Sequence, residues 1–169
     1  GQEIKTVDEI VERADKANDF FLLVGPPGTG KTSVALKAMV KYFFDDGKSI
    51  LLMAYTNRAV DEICSMMETT GIEYIRVGKD VVCDEAYHNR LIGNVLKDCK
   101  NRSQVIERMT FLRVVVGTVA SITSGIDILQ LKPADVAIFD EASQILEPQL
   151  LTLLTAAGAD GQCLIRKFI

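Results

Sequence analysis

Apolar residues fall along this chain in short unbroken runs, separated by stretches where they recur at helical spacing. The runs are Phe20-Phe21-Leu22-Leu23-Val24, Ser49 to Tyr55, the short third strand Glu73-Tyr74-Ile75-Arg76-Val77 with its two charges, Phe111 to Thr118, and Asp135 to Glu141, which ends in two carboxylates. A last one is entered at Cys163-Leu164-Ile165. Runs without polar alternation are those of parallel strands covered on both faces. Between them, Ile4, Val7, Ile10, Val11 and Ala14 predict a lead-in amphipathic helix over 4–18. Ala35, Leu36, Ala38, Met39, Val40, Tyr42 and Phe43 predict a second helix, which Asp45-Asp46-Gly47 ends. Thr56-Asn57 caps a third, carrying Ala59, Val60, Ile63, Met66 and Met67 and ended by Gly71. Val119 to Ile122 starts a short helix or turn, and Leu146, Leu150, Leu151, Leu153 and Leu154 form the face of a helix reaching about Gly158. Strands alternating with helices give an α/β fold, a parallel sheet with helices on both faces. Residues 79–110 are the least regular, with Leu91, Ile92, Val95, Leu96, Val105 and Ile106 at roughly helical intervals. They read as a short helical insertion between strands; a small subdomain gating a ligand is the alternative.

Composition narrows the setting more than the function. The 169 residues suit one domain, and 48% hydrophobic with 25% charged residues is an ordinary globular balance. No apolar run approaches the roughly 18 residues of a membrane span, so no membrane partner is expected. Gly1 to Lys5 lacks the apolar core of a signal peptide. The four cysteines, at 64, 83, 99 and 163, contain no C-x-x-C pair, which argues against a disulfide scaffold and for a reducing, cytoplasmic setting. Cys83, His88 and Cys99 are too loosely spaced to favour a metal site over buried thiols and a surface imidazole. A net charge of −4 gives no basic footprint for nucleic acid over the whole domain. Loop N–H groups and hydroxyls can nevertheless hold a strand locally, so charge leaves the partner open.

One stretch carries specific chemistry. Gly25-Pro26-Pro27-Gly28-Thr29-Gly30-Lys31-Thr32 matches G-x-x-x-x-G-K-[ST] between an expected strand and a helix that runs on from Ser33. A glycine-rich turn there points backbone N–H groups and the positive end of the helix at an anion. Gly25 to Ser33 are therefore nucleotide-binding candidates, with Lys31 on the β- and γ-phosphates and the Thr32 hydroxyl on Mg²⁺. Hydrolysis also needs a held metal and an oriented water. Asp140 suits the metal shell and Glu141 the proton acceptor, although paired acids after a strand also serve as a solvated strand end or a cap.

Four blocks resemble superfamily 1 helicases, in the branch typified by the nonsense-mediated-decay RNA helicase and its bacterial relatives. They are GPPGTGKT at 25–32, Ala54-Tyr55-Thr56-Asn57-Arg58-Ala59-Val60-Asp61, Val115 to Ser121, and Phe139-Asp140-Glu141-Ala142-Ser143-Gln144 with Glu147-Pro148 after it. The resemblance covers residues 20–155 and implies a RecA-like P-loop NTPase using ATP and Mg²⁺. It implies that Thr56, Asn57 and Thr118 grip the backbone of single-stranded DNA or RNA, where the residues alone read Thr56-Asn57 as a plain N-cap. It implies that Gln144 senses the γ-phosphate.

The expectation is thus a partial first RecA-like motor domain over 1–169, cut before the family's G-D-x-x-Q block and the second RecA-like domain. Alone it should hydrolyse poorly, because an arginine supplied from elsewhere is worth roughly 10³–10⁵ in rate. The family's adenine-reading glutamine would fall at Val7, with Gln2 out of register. A non-motor P-loop switch acting on a protein partner is the second reading, and a non-enzymatic binding module the third.

Overall fold

The computed structural model describes Thr6, Asp8, Glu9, Glu12, residues 31–140 and Ile165; at Lys31, Thr32, Ser33 and Asp80 it describes the backbone alone. The strand expected at 20–24 and the helix expected at 146–154 lie outside the described residues, as does most of the lead-in helix. Asp8, Glu9 and Glu12 are helical, and the Glu9 N–H donates to Thr6 Oγ1 at 3.3 Å.

The described chain runs α1 (Lys31–Asp45), β1 (Ile50–Ala54), α2 (Asn57–Glu68) and β2 (Ile75–Val77). Two 3₁₀ turns (Asp80–Val82 and Glu85–Arg90) then lead to α3 (Ile92–Val95), α4 (Arg102–Phe111) and β3 (Val114–Thr118). Last come α5 (Val119–Ser124), α6 (Asp127–Leu131) and β4 (Val136–Phe139). The four strands form one parallel sheet in the order β2-β3-β1-β4. Helices cover both faces, as the apolar runs require of an α/β, RecA-like P-loop fold.

β1 explains why its run has no polar positions. All five of its residues are buried, with Ile50, Leu52 and Ala54 facing one core and Leu51 and Met53 the other. The first core packs Leu36, Met39, Val40 and Phe43 of α1 and Val60, Ile63, Cys64 and Met67 of α2 onto that face. The second packs Met109 of α4, Val119 and Ile122 of α5, and Ile128 and Leu129 of α6 onto the opposite one. Burying a side chain of this size stabilises by roughly 1.5–3 kcal/mol, so both layers are needed to hold a two-sided strand. The turns follow the chemistry expected of them. Gly47 and Gly71 sit at φ of 78° and 70°, in the left-handed region that glycine enters without a Cβ penalty.

Two expectations need correction. The fourth run does not begin a strand at Phe111. Asn101 accepts from the Gln104 N–H at 3.0 Å and starts α4, which carries through Phe111, a residue left 78% exposed. The strand begins only at Val114. Second, the strand expected at 73–77 spans only Ile75–Val77, and it buries a charge. Arg76 is 1% exposed and faces α2, where its Nη1 pairs with Asp61 and lies 3.8 Å from Cys64 Sγ.

Residues 79–110 are helical, in short turns tied back to the sheet layer. Leu91 bridges to Arg76 along the outer edge of β2, which closes an otherwise open strand edge. The Asp84 N–H reaches Asp61 Oδ1 at 3.4 Å. Arg90 contacts both carboxylate oxygens of Glu68 (3.0 and 3.2 Å), pairs with Glu73, and lies 4.8 Å above the Tyr74 ring. Ile165 makes an isolated parallel bridge to Ala134, just ahead of β4; the rest of the strand expected at 163–169 lies outside the described residues.

Removing one member of a buried pair leaves the other charge uncompensated, which costs about 3–5 kcal/mol. Asp61→Ala should therefore lower stability by about 3 kcal/mol, whereas Asp61→Leu combined with Arg76→Met should be close to neutral. Urea midpoints of the three proteins check both.

Candidate functional site

The site assembles at one edge because parallel strands all end in the same direction. Ala54 is in register with Thr118, and Met53 with both Gly117 and Phe139. The ends of β3, β1 and β4 therefore lie side by side, at the ~4.8 Å spacing of neighbouring strands. The residues that follow them are Thr118 itself, Tyr55-Thr56-Asn57, and Asp140. The structure thus brings Thr56, Asn57, Thr118 and Asp140 to a common rim. α1 opens at Lys31, so the described backbone is helical from the lysine onward. Gly25 to Gly30, Glu141 and Gln144 lie outside the described residues, as do the side chains of Lys31, Thr32 and Ser33.

Thr56 is exposed and extended (φ −107°, ψ 148°), and its Oγ1 accepts from the Ala59 N–H at 3.1 Å. This is an N-cap, satisfying one of the N–H groups that a helix start leaves open. The first turn of α2 contains no acidic residue, and its Arg58 is 92% exposed, 3.9 Å from Glu62. An exposed pair at that distance holds its arginine weakly. The α2 terminus therefore presents positive potential to solvent. Thr118 caps α5 in the same way but from inside the fold. It is 5% exposed; its Oγ1 accepts from the Ser121 N–H at 3.0 Å and donates to Ser121 Oγ at 2.9 Å. The hydroxyl pair ties Thr118 to Ser121, the last residue of the third block. Gly117 beside it leaves little room for a Cβ: one would lie 3.0 Å from Ile122 Cδ1 and 3.2 Å from the Val77 carbonyl oxygen.

Asp140 is half-buried directly after β4, and its N–H donates to the Met53 carbonyl at 2.8 Å. That bond fixes where the carboxylate leaves the sheet. Tyr55 and Phe139 meet edge to face above it, ring centroids 5.1 Å apart and planes at 83°.

A family model described as an AAA domain, AAA_11, matches residues 5–110. The chain belongs to this superfamily 1 helicase family. Among its relatives is the DNA replication ATP-dependent helicase/nuclease JHS1 of Arabidopsis thaliana, 37% identical over 134 residues, covering 78% of this chain and 10% of that protein. The DNA replication ATP-dependent helicase/nuclease DNA2 of Saccharomyces cerevisiae is 33% identical over 144 residues (85% of this chain, 9% of that protein). The human protein of that name is 32% identical over 137 residues (78% and 12%). The chain thus spans about a tenth of the length of these curated relatives.

Among the described residues no group of three or more His, Cys, Asp or Glu side chains could hold an ion. Cys64, Cys83 and Cys99 are free, and His88 Nε2 lies 3.0 Å from the Cys83 carbonyl oxygen. Burial pushes the Cys64 thiol up to about 11 from its ordinary 9.0, against the opposing pull of Arg76. Burial raises Cys83 as well, again opposed by Arg76. These are inert, protonated core groups.

A thiol whose pKa is higher folded than unfolded stabilises fully below the unfolded value, and loses that contribution as pH rises through the folded one. Between pH 9 and 10 the domain should lose about 1 kcal/mol through Cys64. Cys64→Ala should flatten that slope in urea midpoints measured across the window.

Proposed function

We propose that the chain is the ATP-binding part of the first RecA-like motor domain of an ATP-dependent helicase or translocase. In the whole protein, ATP hydrolysis would drive movement along single-stranded nucleic acid. The observation that carries this is the common rim: the helix opening at Lys31 of GPPGTGKT, and the ends of neighbouring parallel strands bringing Thr56, Asn57, Thr118 and Asp140 together. Ligands of open parallel sheets sit beyond these carboxyl ends. The relatives' names, which speak of DNA replication, support DNA over RNA as the track. The likeness to the nonsense-mediated-decay branch rests on motif wording alone.

In this reading Gly25, Pro26, Pro27, Gly28, Thr29, Gly30 and Ser33 cradle the phosphates, and Lys31 neutralises charge building on the γ-phosphoryl group. Thr32 and Asp140 would hold Mg²⁺, whose chemistry is to offset charge on the bridging phosphate oxygens. Asp140 fits that task, since its backbone is pinned to Met53 at the rim. Glu141 takes the proton of the attacking water, and Gln144 senses the γ-phosphate. Thr56 and Asn57, at the uncovered terminus of α2, contact strand phosphates with Arg58 nearby. Thr118 acts beside them by fixing Ser121. A second RecA-like domain in the same protein completes the site. The free thiols fit a reducing compartment such as the cytoplasm, and among the described residues no helix is long and apolar enough to cross a membrane.

The deciding experiment is ATP turnover by the full-length protein, with and without single-stranded DNA or RNA. Stimulation by DNA that weakens with salt is the expected result, since phosphate contacts release counterions. Turnover indifferent to either polymer would favour the protein-gating switch, which the net charge of −4 makes the natural second reading. Lys31→Ala should cut turnover at least about a hundredfold, the usual cost of losing a donor to a transition state. Thr56→Asp separates capping from gripping. Aspartate caps a helix as well as threonine but repels phosphate, so stability should hold while strand affinity falls about tenfold, by fluorescence anisotropy.

A further inference from the structure

We propose that the Tyr55–Phe139 ring pair couples the strand-gripping end of β1 to the hydrolytic end of β4, making Tyr55 a positioning residue for nucleic-acid-stimulated ATP turnover. The inference rests on the functional reading above and adds the physical link between its two halves. Tyr55 immediately precedes Thr56, and Phe139 immediately precedes Asp140. The Asp140 N–H to Met53 carbonyl bond, at 2.8 Å, joins the two chains at the end of their pairing. Past it the β1 chain turns into α2 at the Thr56 cap. The two rings meet beside this junction at 5.1 Å and 83°.

Phe139 is 9% exposed and fixed in the second core, and Tyr55 packs on the same core while remaining half-buried. One ring is therefore anchored beside the candidate metal ligand. The other stands next to the residue that a phosphate would engage. An edge-to-face pair is directional, favouring one relative orientation over a sliding contact. A shift of the Thr56 backbone on strand binding must turn Tyr55, and the pair passes that turn to the backbone carrying Asp140. An aliphatic residue at 55 would fill the same core volume without this orientational constraint, so packing alone does not require a tyrosine.

The test uses the full-length protein, reading ATP turnover without and with saturating single-stranded DNA, the affinity for that DNA, and near-UV circular dichroism. Tyr55→Leu should lower the stimulation ratio at least about fivefold, the lower end of typical coupling between sites. Basal turnover and DNA affinity should stay within about twofold of wild type, since the reading gives neither ring a part in the chemistry. Tyr55→Phe, which keeps the ring, should keep the ratio. Phe139→Leu should reproduce the loss, and the double Leu variant should be no worse than the lower single one, as members of one interacting pair behave. An unchanged ratio in Tyr55→Leu overturns the proposal, and so does a fall in basal turnover as large as the fall in stimulated turnover. Should Tyr55→Leu lose its near-UV signal, the ratio is read from Phe139→Leu, with Tyr55→Phe as the control that keeps it. An unchanged ratio in Phe139→Leu then overturns the proposal. A wild-type protein that DNA does not stimulate overturns the functional reading, and the coupling with it. A stimulated wild type with an indifferent Tyr55→Leu overturns the coupling alone.

Discussion

The double burial of β1 is the constraint from which the rest of the described structure follows. Its five residues point alternately into two separate cores, so neither face tolerates water, and each needs a helical layer. A parallel strand cannot be joined to its neighbour by a tight hairpin. The chain must cross over a face, which is where those covering helices come from. The same parallelism makes β3, β1 and β4 end at one rim, two of them in direct register with β1. Chemistry placed after any of these strands is then gathered with chemistry placed after the others, however far apart they lie in sequence. A slip of one residue in β1 would exchange its two faces and also displace the rim, so core packing and site geometry are enforced together.

The buried Arg76–Asp61 pair has a less obvious part in this. Arg76 lies on the short strand β2 and Asp61 one turn into α2, the helix that begins at the rim. Burial works against the guanidinium's charge, yet its bond to the Asp61 carboxylate opposes this and its pKa is raised, so it stays cationic. Asp61 also receives the Asp84 N–H from the segment after β2. One carboxylate therefore holds a helix, a strand and a connecting turn in fixed relation. Arg90, Glu68, Glu73 and Tyr74 make a second such knot at the far end of α2. Ties at both ends of α2 are what a scaffold for the rim requires, and they weigh against residues 79–91 swinging freely as a gate.

Much of this was legible because each signal rested on a local rule. The unbroken run at 50–54, the Thr56 cap, the Gly47 and Gly71 turns and the helix opening at Lys31 depend on neighbours in sequence, and each occurs where expected. What was not legible depended on neighbours in space. Nothing near Phe111 in sequence says that Asn101 has already launched a helix that outruns the apolar run. Arg76 was visible as a charge inside a strand, and a buried arginine demands a partner, but sequence distance does not name Asp61. α6 went unread because five residues carry too little periodicity. At the site, the motif wording identified the rim residues without revealing how differently they are held.

That difference bears on chemistry. Thr56 and Thr118 share a residue type, a position at a strand end and a capping hydrogen bond, and the resemblance assigned both to the same task. Their surroundings separate them. Thr56 stands exposed at the start of a twelve-residue helix with no acidic residue in its first turn. Thr118 is enclosed at the start of a six-residue helix, its proton already given to Ser121. A group that meets a phosphate must keep a free donor and an open path, and a group that shapes the path must keep neither. On the proposed reading Thr56 would meet the first condition through its helix terminus, and Thr118 the second. On that reading, a domain with net charge −4 would hold an anionic strand at the α2 terminus, where helix N–H groups and Arg58 coincide.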